Sequence, residues 1–264
     1  MNLKHLPHCL ALSAGLFAGN QAMAGDLLHW QNNSLTYLYG QGYEVNPEIQ
    51  QTVSFEHADG WKYGDNFFFL DKIFYNGEED AFDGNNTYYG EFSPRLSFGK
   101  IFDQKIQFGP VTDVLLAMTY EFGEKDKESY LIGPGFDLAI PGFDYFQVNF
   151  YNRHTDGDRD GDNVWQVTPV WSYTIPVGKS DILIDGFMDW VVDNDESAHA
   201  SIHFVPQVKY DLGKALSWGE KQLYVGFEYD YWKNKYGIDD SDIPNFVDLE
   251  DHQSTASLLV KVHF

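Results

Sequence analysis

Thr255-Ala256-Ser257-Leu258-Leu259-Val260-Lys261-Val262-His263-Phe264 ends the chain. Side chains of an extended strand alternate between two faces, so Ala256, Leu258, Val260, Val262 and Phe264 share one of them. Thr255, Ser257, Leu259, Lys261 and His263 share the other. The first face is apolar throughout, while the second carries a cation and an imidazole. Such a strand needs a neighbour for its backbone groups and a non-aqueous medium for its apolar side.

An amphipathic last strand closed by Phe resembles the C-terminal signature of bacterial outer-membrane β-barrels. The N-terminus agrees with that setting. Lys4 lies in a short basic start, the next apolar run reaches Phe17, and Ala22-Met23-Ala24 is an A-x-A cleavage pattern. A secretory leader is expected over residues 1–24, with one barrel domain over 25–264. Cys9 is the only cysteine and falls in the leader, so the rest has no disulfide or thiol chemistry. No later run approaches the ~18 apolar residues of a helical membrane span. A mean hydropathy of −0.38 is compatible with strands that are apolar on one side only. The 17% aromatic content suits interfacial girdles. A net charge of −23 argues against nucleic-acid partners, which want Lys and Arg.

Period-2 alternation predicts about twelve strands, over 34–39, 51–57, 61–70, 88–99, 113–122, 130–140, 144–153, 164–175, 182–192, 202–212, 222–232 and 255–264. Most have about the 9–11 residues that a tilted strand needs to cross the hydrocarbon. Pro94, Pro134, Pro169 and Pro206 fall inside candidate strands, where a missing N–H weakens pairing. The connections alternate in character. Those after odd-numbered strands are mostly long and hold 23 acids against six Lys and Arg. Those after even-numbered strands are mostly short and hold four acids and five lysines. Long acidic external loops and short periplasmic turns leave this pattern in an all-β transmembrane antiparallel barrel.

If Val260, Val262 and Phe264 face lipid, the opposite phase faces the lumen. Propagating that phase places Tyr89, Glu91, Arg95, Asp137, Arg153, Asp185, Asp189, His203, Lys209, Glu228, Asp230, Trp232 and Lys261 inside, as the candidate channel lining. The expected lumen is narrow, polar, of mixed sign and interleaved with aromatics. Asp156, Asp158 and Asp160 belong to a D-x-D-x-D-G run that opens like a calcium loop, but its twelfth position is Val167 instead of Glu. No other metal and no cofactor is indicated. Ser201 and His203 share a strand face without a catalytic signature around them.

Several stretches are similar to the Tsx/OmpK-like family of nucleoside-specific outer-membrane channels. They are Glu91-Phe92-Ser93-Pro94-Arg95-Leu96-Ser97, Phe108-Gly109-Pro110, Gly133-Pro134-Gly135-Phe136-Asp137, Tyr236-Gly237-Ile238-Asp239-Asp240-Ser241-Asp242 and the terminal strand, with His29-Trp30 near the expected mature start. The resemblance implies a twelve-stranded barrel in outer-membrane lipid that passes nucleosides or related small solutes down their gradient. It also implies delivery by the barrel assembly machinery and use by some phages as a receptor. Two alternatives stay open: a plugged barrel serving as adhesin or phage receptor, and an outer-membrane enzyme.

Overall fold

The computed structural model describes residues 27–76, 84–124, 128–156, 164–192, 199–237 and 251–264. Twelve strands alternate with connections: β1 (Leu28–Gln41), β2 (Ile49–Trp61), β3 (Gly64–Phe74), β4 (Asn86–Ser97), β5 (Val111–Gly123) and β6 (Glu128–Leu138). They continue with β7 (Tyr145–Asp156), β8 (Val164–Val177), β9 (Ser180–Val191), β10 (Ser201–Asp211), β11 (Leu223–Lys233) and β12 (Gln253–His263). Each pairs antiparallel with its sequence neighbours, and β1 pairs with β12 to close the barrel. Closure leaves no unpaired edge, the condition for a sheet to sit in lipid.

The terminal strand has the phase its sequence dictates. Thr255, Ser257, Leu259 and Lys261 are buried, whereas Leu258 is 69% exposed on the outer surface. Its seam runs from Ser34 opposite His263 to Gly40 opposite Ser257. The Phe264 amide extends it by donating to the Asn33 carbonyl at 3.0 Å. Large apolar side chains on the outward phase of other strands are exposed too, among them Leu35, Phe92, Ile132, Trp165, Trp190 and Phe227. This is the lipid-facing band.

The four prolines expected inside strands are accommodated by one device, while a fifth, Pro176, sits at the end of β8 opposite Asp181 of β9. Pro94, Pro134, Pro169 and Pro206 stay paired with the preceding strand, and each interrupts the ladder to the following one. The breaks fall at 93–94, 133–134, 168–169 and 205–206, with register unchanged on either side. Proline lacks the N–H that the ladder needs, so it costs bonds on one side without displacing the strand.

Several boundaries differ from the expectation, and β1 is the most extended, at Leu28–Gln41 against 34–39. Trp61 ends β2 instead of opening β3, and β3 runs on to Phe74. Asp71 and Lys72, read as loop residues, are therefore strand residues. Asp71 lies opposite lumen-facing Ser54 and Tyr89, because a polar lumen accepts an acid within a strand. β4 ends at Ser97, two residues before the expected 99: Phe98–Phe102 forms a helical turn, α1, capped by Ser97 accepting from the Lys100 amide. The expected leader and most of the Asp156–Asp162 run lie outside the described residues; Asp156 is placed only as the end of β7.

Candidate functional site: the barrel lumen

The start of β1, Phe264 and the short turns occupy one end of the barrel. Near that end, on β4, Arg95 is buried at 5% exposure. Its Nε and Nη2 donate to the two Asp65 oxygens of β3 at 2.8 Å each, and Nη1 donates to Asp137 of β6 at 2.9 Å. To reach β6 the side chain passes over β5, where its opposite number is Ala117, fully buried and small. Across the lumen, Lys209 Nζ donates to Asp185 at 2.8 Å and to Gln207 at 2.7 Å. Lys261 bonds Glu56, which also accepts from Ser34 Oγ at 3.1 Å.

Towards the long-loop end, Arg153 of β7 forms a bidentate pair with Glu121 of β5, at 2.6 and 2.5 Å. Arg153 also donates to Gln166 and Ser129, at 3.0 and 3.1 Å. Gln166 and Thr168 in turn donate to Asp189, at 2.9 and 2.5 Å. Every lumen-facing Arg and Lys among the described strand residues is thus bonded to a carboxylate. By contrast, Glu91 accepts from Tyr89 (2.8 Å) and Glu228 from Gln207 (2.7 Å), both neutral donors. The lumen therefore holds acid in excess of base.

Aromatic rings line two walls. Phe67, Phe69 and Tyr89 form one row on β3 and β4, with centroid spacings of 6.0 and 5.8 Å. Phe67 is 39% exposed on the inward phase, so its face is open to the lumen. The second row lies on β9, β10 and β11. Phe187 meets His203 edge-on at 5.5 Å, and His203 stacks on Trp232 at 4.1 Å with ring planes 16° apart. His203 Nε2 also contacts Asp230 at 3.1 Å. β3–β4 and β9–β11 lie on opposite sides of the strand order, so the two rows stand on opposite walls of the bore, with Tyr89 and Trp232 towards the long-loop end and Phe67 nearer the turns.

The sequence profile of the nucleoside-specific channel-forming protein family, Tsx, matches residues 26–263. The chain belongs to the Tsx family. Among curated relatives, outer membrane protein OmpK of Vibrio parahaemolyticus is 24% identical over 159 residues, covering 59% of this chain and 58% of that protein. The chain thus matches less than two thirds of that relative's length. Among solved structures, the KdgM porin in complex with disordered oligogalacturonate aligns over 88% of this chain and 99% of that one, at 9% identity and a TM-score of 0.48. Omp33 of Acinetobacter baumannii aligns over 90% of this chain and 100% of that one, at 10% identity and a TM-score of 0.39. This Tsx-family chain is an outer-membrane β-barrel of channel type.

In this Tsx-family barrel all thirteen lining candidates of the sequence lie on inward-facing strand positions. The fold gathers them into groups: Tyr89 with Glu91, Arg95 with Asp137, Lys209 with Asp185, and His203 with Asp230 and Trp232. Glu228 joins Lys209 through Gln207. Arg153 reaches Asp189 through Gln166. Lys261 stands apart on the β12 wall with Glu56. Sequence reasoning missed Asp65 and Glu56, the anchors of Arg95 and Lys261, and the inward phenylalanines Phe67, Phe69 and Phe187. The alternation of β3 carried the signal for Phe67 and Phe69, hidden by the run Phe67-Phe68-Phe69, which is apolar on both faces. His203 bonds Asp230, which gives it a role in the lumen wall separate from any pairing with Ser201.

Proposed function

We propose that this barrel passes nucleosides, or small solutes with the same planar ring and hydroxyl pattern, down their concentration gradient. The reading rests on one arrangement: the rows Phe67–Phe69–Tyr89 and Phe187–His203–Trp232 on opposite walls, each flanked by carboxylates. A base sliding along either row gains offset stacking worth about 0.5–1.5 kcal/mol per ring contact. Sugar hydroxyls donate to Glu91, Glu228 and Asp230. Weak contacts at successive positions keep both uptake and release fast. Anionic relatives of the same solutes fare worse, because each lumen-facing cation among the described strand residues is already held by a carboxylate.

Liposome swelling tests the reading. Nucleosides should enter faster than sugars of equal size, and replacing Phe67 and Trp232 by Ala should flatten that ranking. Equal rates for all solutes of one size in the unaltered barrel would remove the nucleoside preference. No swelling with any solute would favour the plugged alternative.

A further inference from the structure

The first connection at the long-loop end, residues 42–48, does not stand clear of the barrel. Its Tyr43 hydroxyl lies 2.9 Å from Ser257 Oγ, a buried lumen-facing atom of β12. The space for the ring comes from Gly40, the β1 residue opposite Ser257. A Cβ on Gly40 would lie 2.2 Å from Ser257 Oγ and 2.9 Å from Tyr43 Cε2. Strand position 40 points inward, so the glycine leaves a notch in the lumen wall and the phenol fills it.

The rest of the loop is clamped from the last connection. Thr255 Oγ1 donates to the Gly42 carbonyl at 2.8 Å, and both Gly42 and Tyr43 amides donate to the Glu48 carbonyl. Lys235 Nζ donates to Asn46 Oδ1 and to Gln253 Oε1, at 2.8 Å each, while its backbone amide donates to the Asp251 carbonyl. His252 lies 3.5 Å from Glu44. Residues of the first loop, the last loop and β12 thus form one unit at the seam where the barrel closes.

We propose that Tyr43 is the constriction at the long-loop mouth of the channel, latched to the wall at Ser257 and held in place by the Lys235 clamp. Solutes meet its ring before the rows of Phe67 and Trp232, so among the described residues it is the first selecting group on the path. Burial pushes the Tyr43 phenol up to about 12, and the carboxylates of Asp230, Glu228 and Asp71 add to the rise while the Ser257 hydrogen bond opposes it. The ring therefore stays neutral in use, above a ring of acids. The proposal rests on the channel reading alone and is independent of which solute is preferred.

Single-channel conductance in potassium chloride, with the folded full barrel in planar bilayers, is the test. Tyr43→Ala should conduct about twofold more than the unaltered barrel. Lys235→Met should flicker between the two levels, because the ring is present but its loop is released. Gly40→Ala should push the ring into the bore and lower the conductance, which keeps the test open if Tyr43→Ala fails to insert. Conductance appearing only in Tyr43→Ala also supports the constriction. Three variants indistinguishable from the unaltered barrel, conducting or silent, would overturn it. Since salt current involves no nucleoside, a positive result here alongside unselective swelling would discard the nucleoside preference and keep the constriction.

Discussion

Arg153 and Glu121 face each other across β6, joined by two parallel bonds of 2.6 and 2.5 Å over the intervening Ser129. Both are largely buried, with 22% and 11% of the side chains exposed. Removing one member strands the other in a partly dry lumen. Arg153→Met should lower barrel stability by about 3 kcal/mol, and adding Glu121→Gln should restore part of the loss. Urea titration of tryptophan fluorescence in lipid vesicles measures both. An additive double variant would mean the pair is not coupled.

Gly133 packs against backbone. A Cβ there would lie 1.9 Å from the Phe150 carbonyl oxygen, beside a ladder already broken by Pro134. Gly133→Ala should cost about 2 kcal/mol or more, because β6 or β7 must move. The shift from compact to unfolded migration on heating in detergent reads the loss. A barrel that melts like the unaltered one would show that the strands can yield there freely.

Leu258, outward on β12 and 69% exposed, meets acyl chains. Leu258→Arg should destabilise the folded barrel by about 2–4 kcal/mol if the residue lies at the bilayer midplane, and by about 0–1 near an interface. Arg at neighbouring outward positions Val260 and Val262 should then show a graded cost. Equal costs at all three would argue against a lipid gradient along this strand.

Tyr43 carries a pH dependence. Its phenol titrates at about 12 in the folded barrel against 10.0 unperturbed. Between these values the unfolded chain binds fewer protons, so stability falls as pH rises through the window and is retained below it. A difference titration of tyrosinate absorbance between the unaltered protein and Tyr43→Phe should show one phenol ionising late. A difference centred near 10 would mean that the ring is not seated in the Gly40 notch.

Much of the barrel was legible because its signals are local. The strand count and inward phase follow from period 2, and the acid-rich loops separate from the short turns by composition. Asp71 was misread as loop for an equally local reason: an acid at the end of an apolar run marks a loop in a soluble protein, but not on a strand lining a polar bore. Phe67 was hidden in a triple phenylalanine that shows no alternation. The bonds of Arg95 to Asp65 and Asp137, 30 and 42 residues away, had no local signal at all.

Sequence by itself determined that this chain closes on an amphipathic strand, how many strands precede it and which side of each meets lipid. Backbone periodicity and the demand of hydrocarbon for apolar surface act residue by residue, so they are written along the chain. Only the tertiary structure decided which charges neutralise one another, that two aromatic rows stand on opposite walls of the bore, and that Tyr43 returns to fill the notch at Gly40. Those relations depend on barrel closure and register, which bring Ser257 beside a residue 214 positions earlier.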